Sequence, residues 1–168
     1  MRVAVVTGNP KPASRTQGVA LAVARVIGGP HVVVDLAEHA AALFDPADLE
    51  LSRLTGEVAA SDVVVVASPT YKAAYTGMLK AFLDRYGNNG LAGTVAVPVM
   101  TGGWAGHTLA VEVHLRPVLV ELGATVPARG LYVTEPDIAE PDAVIAAWAA
   151  TAVPLIRGAL AGLEANDA

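Results

Sequence analysis

Residues 62–84 read DVVVVASPTYKAAYTGMLKAFLD. Val63–Ala67 is apolar at five consecutive positions, where a strand with one wet face would alternate. Continuous apolarity predicts a strand buried on both faces, as in a parallel sheet covered by helices. Pro69 closes the run, and a loop that includes the small residues Ala73 and Ala74 follows as far as Thr76. Beyond it, Met78, Leu79, Phe82, Leu83 and Tyr86 share one face of a helix expected over about 76–86, with Lys80 and Asp84 as i,i+4 partners. Strand, loop and helix in some two dozen residues make a β–α unit.

Working outward, Val3–Thr7, Val32–Val34, Val95–Met100 and Val126–Val133 repeat the Val-rich pattern about every thirty residues, with helical segments between. The first helix begins near Ser14, where Ser14 and Gln17 have capping-box spacing, and ends at Gly28-Gly29-Pro30. The second connection, Leu36 to Ser61, is longer. Pro46 suits a helix start there, and Leu49, Leu51, Leu54 and Val58 fit a short amphipathic helix. A fourth helix over about Ala105–Leu122 is apolar nearly all round, which implies deep burial or a subunit interface, and Pro117 is expected to kink it. A last helix covers about Asp142–Ala161, with Glu164–Ala168 as a frayed tail. The alternation predicts a single α/β domain over 1–168. It is expected to be a flavodoxin-like three-layer sandwich with a five-stranded parallel sheet of order 2-1-3-4-5. Ligands of such sheets sit beyond the carboxyl ends of the strands, at the switch between the first and third.

Composition narrows the chemistry. The 168 residues are 54% hydrophobic and 16% charged, with 33 Ala and 25 Val against 2 Phe, 2 Trp and 4 Tyr. That excludes intrinsic disorder as the main state. A net charge of −5 with scattered Lys and Arg argues against nucleic acid and against a basic membrane-surface patch. The longest strongly apolar uncharged helical run, Ala143–Ile156, is 14 residues, short of the roughly 18 of a spanning helix. The start, MRVAVVTG, lacks a signal-peptide h-region, so a soluble cytoplasmic protein is expected. With no cysteine there is no disulfide, thiolate nucleophile or zinc–thiolate site, and redox chemistry has to come from a cofactor.

Three loops leave the expected carboxyl edge. After the first strand comes GNPKPASRT, residues 8–16. It is neither a Walker loop nor GxGxxG, yet Ser14, Arg15 and Thr16 open a helix whose free N–H groups and dipole favour a phosphate. An ordinary capped turn is the equally weighted alternative. After the third strand, Pro69, Thr70, Tyr71 and Lys72 offer a fixed backbone, a stackable ring and a cation. Taken singly, such tyrosines more often pack and such lysines are more often solvated. After the fourth, Thr101-Gly102-Gly103 permits close approach of backbone to a ligand, or is a simple turn; Gly102→Val is expected to block a ring sterically. His107 and His114 read as core or interface residues rather than acid–base groups, and their spacing does not suit a metal. Asp62 falls at the opposite end of the sheet. No Ser-His-Asp triad stands out.

At these loops the chain resembles the NADPH-dependent FMN reductase family. The resemblance is strongest in SPTYKAAYTGMLKAFLD (68–84), which looks like that family's second flavin loop and following helix. GNPKPASRT is similar to its phosphate loop, with Asn9 in place of the usual Ser, and MTGGWAGH with LRPVLVELGA looks like the third loop and fourth helix. It covers about residues 2–135. The resemblance implies FMN and NADPH (or NADH) as cofactors. It implies phosphate contacts from Ser14, Arg15 and Thr16 with Asn9 nearby, and ribityl and ring-edge contacts from Pro69, Thr70, Tyr71 and Lys72. The pyrimidine end would meet the backbone of Thr101, Gly102 and Gly103. It also implies a homodimer or homotetramer, and a flavin-dependent monooxygenase as the partner that takes reduced FMN. In part of the subgroup that serves such monooxygenases, the fourth helix carries an inserted aromatic residue associated with flavin transfer; here residues 111–117 contain no Tyr.

The expected chemistry is hydride transfer from nicotinamide C4 to flavin N5 with no catalytic side chain and no metal. A quinone or azo reductase with tightly bound FMN, and a flavodoxin-type electron carrier, are the alternatives. A receiver domain is disfavoured, because Gly8-Asn9 and Ser68 stand where it needs acidic residues.

Overall fold

A computed structural model describes residues 1–166. Five strands, β1 (Val3–Thr7), β2 (Val32–Asp35), β3 (Val63–Pro69), β4 (Val95–Gly102) and β5 (Leu131–Thr134), form one parallel sheet in the order β2-β1-β3-β4-β5. The fold class and strand order are those expected from the sequence. Every residue of β1 and β3 is buried, and successive side chains enter opposite cores. Val63 and Val65 join Val3, Val5, Val97 and Val99 on one face. Val64 and Val66 join Ala4, Val6, Ala96 and Met100 on the other. Two-sided burial is the physical reason these strands do not alternate.

The first face is covered by α1 (Arg15–Ile27) and α6 (Asp142–Asn166). The second is covered by α2 (Leu49–Ala59), α3 (Gly77–Leu83) and the segment ending in α4 (Arg116–Glu121). Ser14 caps α1, its Oγ accepting from the Gln17 N–H at 3.2 Å. Thr76 caps α3 in the same way, and Lys80 pairs with Asp84 at 2.5 Å. Asp62 lies at the amino edge of the sheet, as expected, accepting from the Arg2 N–H.

Several elements differ from the sequence reading. α2 starts after Asp48, whose carboxylate accepts from the Leu51 N–H, rather than at Pro46; Leu51, Leu54 and Val58 are buried, but Leu49 points outward. β5 begins at Leu131, because 124–130 is irregular, with one β-bridge to the sheet, between Val95 and Thr125. A short helix, α5 (Glu135–Ile138), follows β5.

The expected fourth helix breaks into three pieces. These are a 3₁₀ turn at Ala105–His107, a π-helical turn at Val111–Leu115 and α4. Pro117 directly follows the π-helical turn, with helical backbone on both sides of it from Ala110 to Glu121, so the irregular turn stands where a kink was expected. α6 runs through Asn166, so Glu164 and Ala165 are helical rather than frayed; Asp167 and Ala168 lie outside the described residues. Its 142–165 stretch is long and apolar enough, by length and composition, to cross a membrane, with mean hydropathy 1.6 in its most apolar window. Here it docks Ile145, Ala152 and Ile156 onto the first core.

Candidate functional site

β1, β3 and β4 end side by side. Thr7 is in register with Ala67, and Pro69 with Thr101, so the three following loops share one edge. Between them opens a cavity of about 440 Å³. Asn9, Ser14, Arg15, Thr16, Pro69, Thr70, Tyr71, Thr101, Gly102 and Gly103 all line it.

Loop 1 is built on buried polar bonds. Asn9 Oδ1 accepts from the Lys11 N–H at 3.0 Å, and Asn9 Nδ2 donates to Thr16 Oγ1 at 3.2 Å. Thr16 Oγ1 is also hydrogen-bonded to Thr101 Oγ1 at 2.8 Å, which ties loop 1 to the end of β4. Ala13 holds φ +48° and donates its N–H to the buried Asp35 at 2.9 Å. The loop therefore arrives at α1 with its path fixed. The N–H groups of Arg15 and Thr16 lie in the first turn of α1, where no intrahelical acceptor exists. With the Ser14 hydroxyl and the Arg15 guanidinium, they form a donor set suited to an anion.

Loops 2 and 3 complete the wall. The Thr70 N–H donates to the Thr101 carbonyl at 2.7 Å, so the two loops are stitched by backbone. Tyr71 and Ala74 exchange backbone bonds across a tight turn in which Lys72 and Ala73 hold φ +52° and +67°. That turn leaves the Tyr71 ring half exposed against the cavity and carries Lys72 to its tip; Lys72 is exposed and does not line the cavity. The Thr76 hydroxyl donates to the Gly8 carbonyl and the Thr76 N–H to Ser68 Oγ, which anchors loop 2 to loop 1. A Cβ on Gly102 would collide with the Tyr132 hydroxyl, which accepts from Thr70 Oγ1. Gly102 is thus demanded first by Tyr132. A bulky residue there would act by displacing that ring, not only by filling the space of a ligand.

Sequence reasoning missed Lys11, Pro12, Ala13, Glu135 and Ile138, which also line the cavity. Glu135 Oε1 accepts from Arg15 Nη2 at 2.9 Å and closes one end. It follows β5 directly, and the rule that ligands sit beyond carboxyl ends applies to β5 as to β1, β3 and β4. Trp104 is exposed and outside the cavity, with its ring edge-on to His107 at 4.7 Å. His107 is half-buried and His114 exposed, so neither is a core residue in this chain.

Comparison with known proteins bears on what this edge is for. A family model described as NADPH-dependent FMN reductase matches residues 1–137. FMN reductase (NADPH) of Escherichia coli strain K12 is 32% identical over 146 residues, spanning 82% of this chain and 75% of that protein. NADH-dependent FMN reductase SfnF of Pseudomonas putida is 32% identical over 142 residues, 79% of this chain and 76% of its own. Among solved structures, the apo form of an NADH:FMN oxidoreductase, EMOB, superposes with a TM-score of 0.72 at 29% identity. That match covers 88% of this chain and 87% of that one.

Proposed function

The chain belongs to the NADPH-dependent FMN reductase family, and from that premise we propose how its three loops serve the reaction. It is an oxidoreductase that uses FMN with NADPH or NADH. The residues present fit FMN. A capped helix N-terminus with two N–H groups lacking intrahelical acceptors, a hydroxyl and a guanidinium suits the phosphate. A half-exposed Tyr71 and a side-chain-free strip at Gly102-Gly103 suit a flat ring. The observation that carries the reading is the convergence of all three loops on one cavity.

In this reading Ser14, Arg15 and the N–H groups of Arg15 and Thr16 bind the phosphate. Asn9 and the Thr16 hydroxyl are already engaged with each other and with Thr101, so they hold the loop in shape for it. Pro69, Thr70 and Tyr71 flank the ribityl chain and ring edge, with Lys72 at the rim. The backbone of Thr101, Gly102 and Gly103 meets the pyrimidine end, where fixed dipoles favour developing negative charge. When bound, FMN supplies the acceptor at N5 for a hydride from nicotinamide C4. No side chain of the chain has to move a proton. Its work is to fix the ring face open to the nicotinamide and to keep the phosphate end anchored. The chain acts in the cytoplasm as a homodimer or homotetramer and supplies reduced FMN to a flavin-dependent monooxygenase.

An anaerobic NAD(P)H titration with and without added FMN tests this reading. Oxidation is expected to depend on added FMN and to saturate with it, and protein passed through a desalting column is expected to lose its flavin. Flavin retained through desalting, with no saturation by FMN, would turn the reading to a quinone or azo reductase with bound FMN. Electron transfer without steady-state NAD(P)H oxidation would turn it to a carrier. Arg15→Ala is expected to weaken FMN by about 1.5–3 kcal/mol, the loss of a charge-assisted contact. An unchanged dissociation constant refutes the phosphate assignment.

A further inference from the structure

Arg15 is not idle in the absence of a phosphate. Its Nη2 donates to Glu135 Oε1 at 2.9 Å, and both side chains line the cavity. Glu135 comes from the far edge of the sheet, at the start of α5, and its other oxygen lies 3.2 Å from where a Cβ on Gly103 would stand. One carboxylate therefore reaches from the third loop to the cation of the first. Neither group has another charged partner among the described residues. Their side chains are 68% and 55% exposed, so an incoming anion can reach the pair.

We propose that Glu135 is an internal competitor for the flavin phosphate, and that it keeps FMN exchangeable by holding the guanidinium the phosphate needs. The inference rests on the phosphate reading above. Arg15 has two courses when a phosphate arrives. It can leave Glu135, and the ion pair is lost, or it can bridge both anions, and a carboxylate then faces a phosphate close to two negative charges. Either course subtracts from phosphate affinity and leaves ring affinity untouched. A bound prosthetic group gains nothing from such a rival. A flavin that must leave after reduction does.

The test uses the whole chain and two probes, FMN and riboflavin, which differ only in the phosphate. Glu135→Gln is expected to tighten FMN about fivefold, the upper range for an exposed ion pair, while riboflavin is unchanged. The FMN gain is expected to shrink as salt rises from low to about 0.5 M, because both anions are solvent-reachable. A purely structural role for Glu135 in α5 would shift both flavins together and lower the melting temperature. That result overturns the proposal, as does FMN affinity that is unchanged or weaker. Arg15→Ala separates the two levels. If it leaves FMN affinity intact, the phosphate reading itself fails. If it weakens FMN while Glu135→Gln does not tighten it, only the competitor role fails.

Discussion

Lys72 and Ala73 occupy the two central positions of the turn in loop 2, both with positive φ. Such a turn favours Asn-Gly, because each central residue must sit in the left-handed region that a Cβ disfavours. The local sequence carries neither. The strain is held by the backbone pair Tyr71–Ala74 and by the anchors of Thr76. Replacing Ala73 with Gly should therefore raise stability by about 1 kcal/mol, or roughly 2–4 °C in a domain of this size. Thermal denaturation checks this, and an unchanged or lower melting temperature would show that the turn is not strained. The same turn explains a limit of sequence reading. Tyr71 and Lys72 are adjacent and equally eligible by residue type, yet the turn puts one against the cavity and leaves the other exposed outside its lining. Nothing in the residue types announces that backbone. Ser14 as the cap of α1, by contrast, was legible, because Ser14 and Gln17 have capping spacing ahead of an apolar helix.

The segment 105–121 shows the same limit one level up. Val111, Val113, Leu115, Val118, Leu119 and Val120 suggest a helix apolar on all sides. The π-helical turn resolves them into an inner row, Val111, Leu115 and Leu119, and outward-facing Val113 and Val120. One extra residue in a turn shifts every later side chain around the axis, and hydrophobic spacing alone cannot distinguish that from a broad apolar face. The turn is braced from outside. Arg116 donates to the carbonyls of Val126 at 2.5 Å and Ala128 at 2.9 Å, and Glu112 accepts from the Gly130 N–H at 2.6 Å. These bonds hold the irregular stretch leading to β5, the strand whose start was misplaced from sequence. Arg116→Ala should cost about 1–3 kcal/mol, since two carbonyls lose a charged donor. Arg116→Lys should recover only part of it, because one ammonium does not reproduce the fork. Urea denaturation of the three proteins tests the order; equal midpoints would show that the clamp carries no stability.

At the scale of the molecule, the parallel sheet was legible because Val63–Val66 is buried on both sides and has no wet face to encode. The place of the cavity was legible because strand order puts three of its loops together, and its lining was incomplete because β5 leads to Glu135 from a fourth. What the single chain leaves unsatisfied is an outer apolar surface. Leu109 and Val113, one helical turn apart, are each 58% exposed, and Val120 is 53% exposed on the same segment. Three large aliphatic side chains so exposed on one segment make it the first place to test for association. If that surface joins copies of the chain, a charge placed on it should separate them without touching either core. Val113→Glu is expected to turn a dimer or tetramer into a smaller species by light scattering after size exclusion, with a melting temperature at micromolar concentration that no longer rises with protein concentration. A wild-type protein that is already monomeric, or a Val113→Glu variant of unchanged mass, removes this segment from the interface. The concentration dependence guards against a trivial outcome. Misfolding of the variant would lower its melting temperature at every concentration, whereas loss of an interface lowers it only where the wild type was assembled.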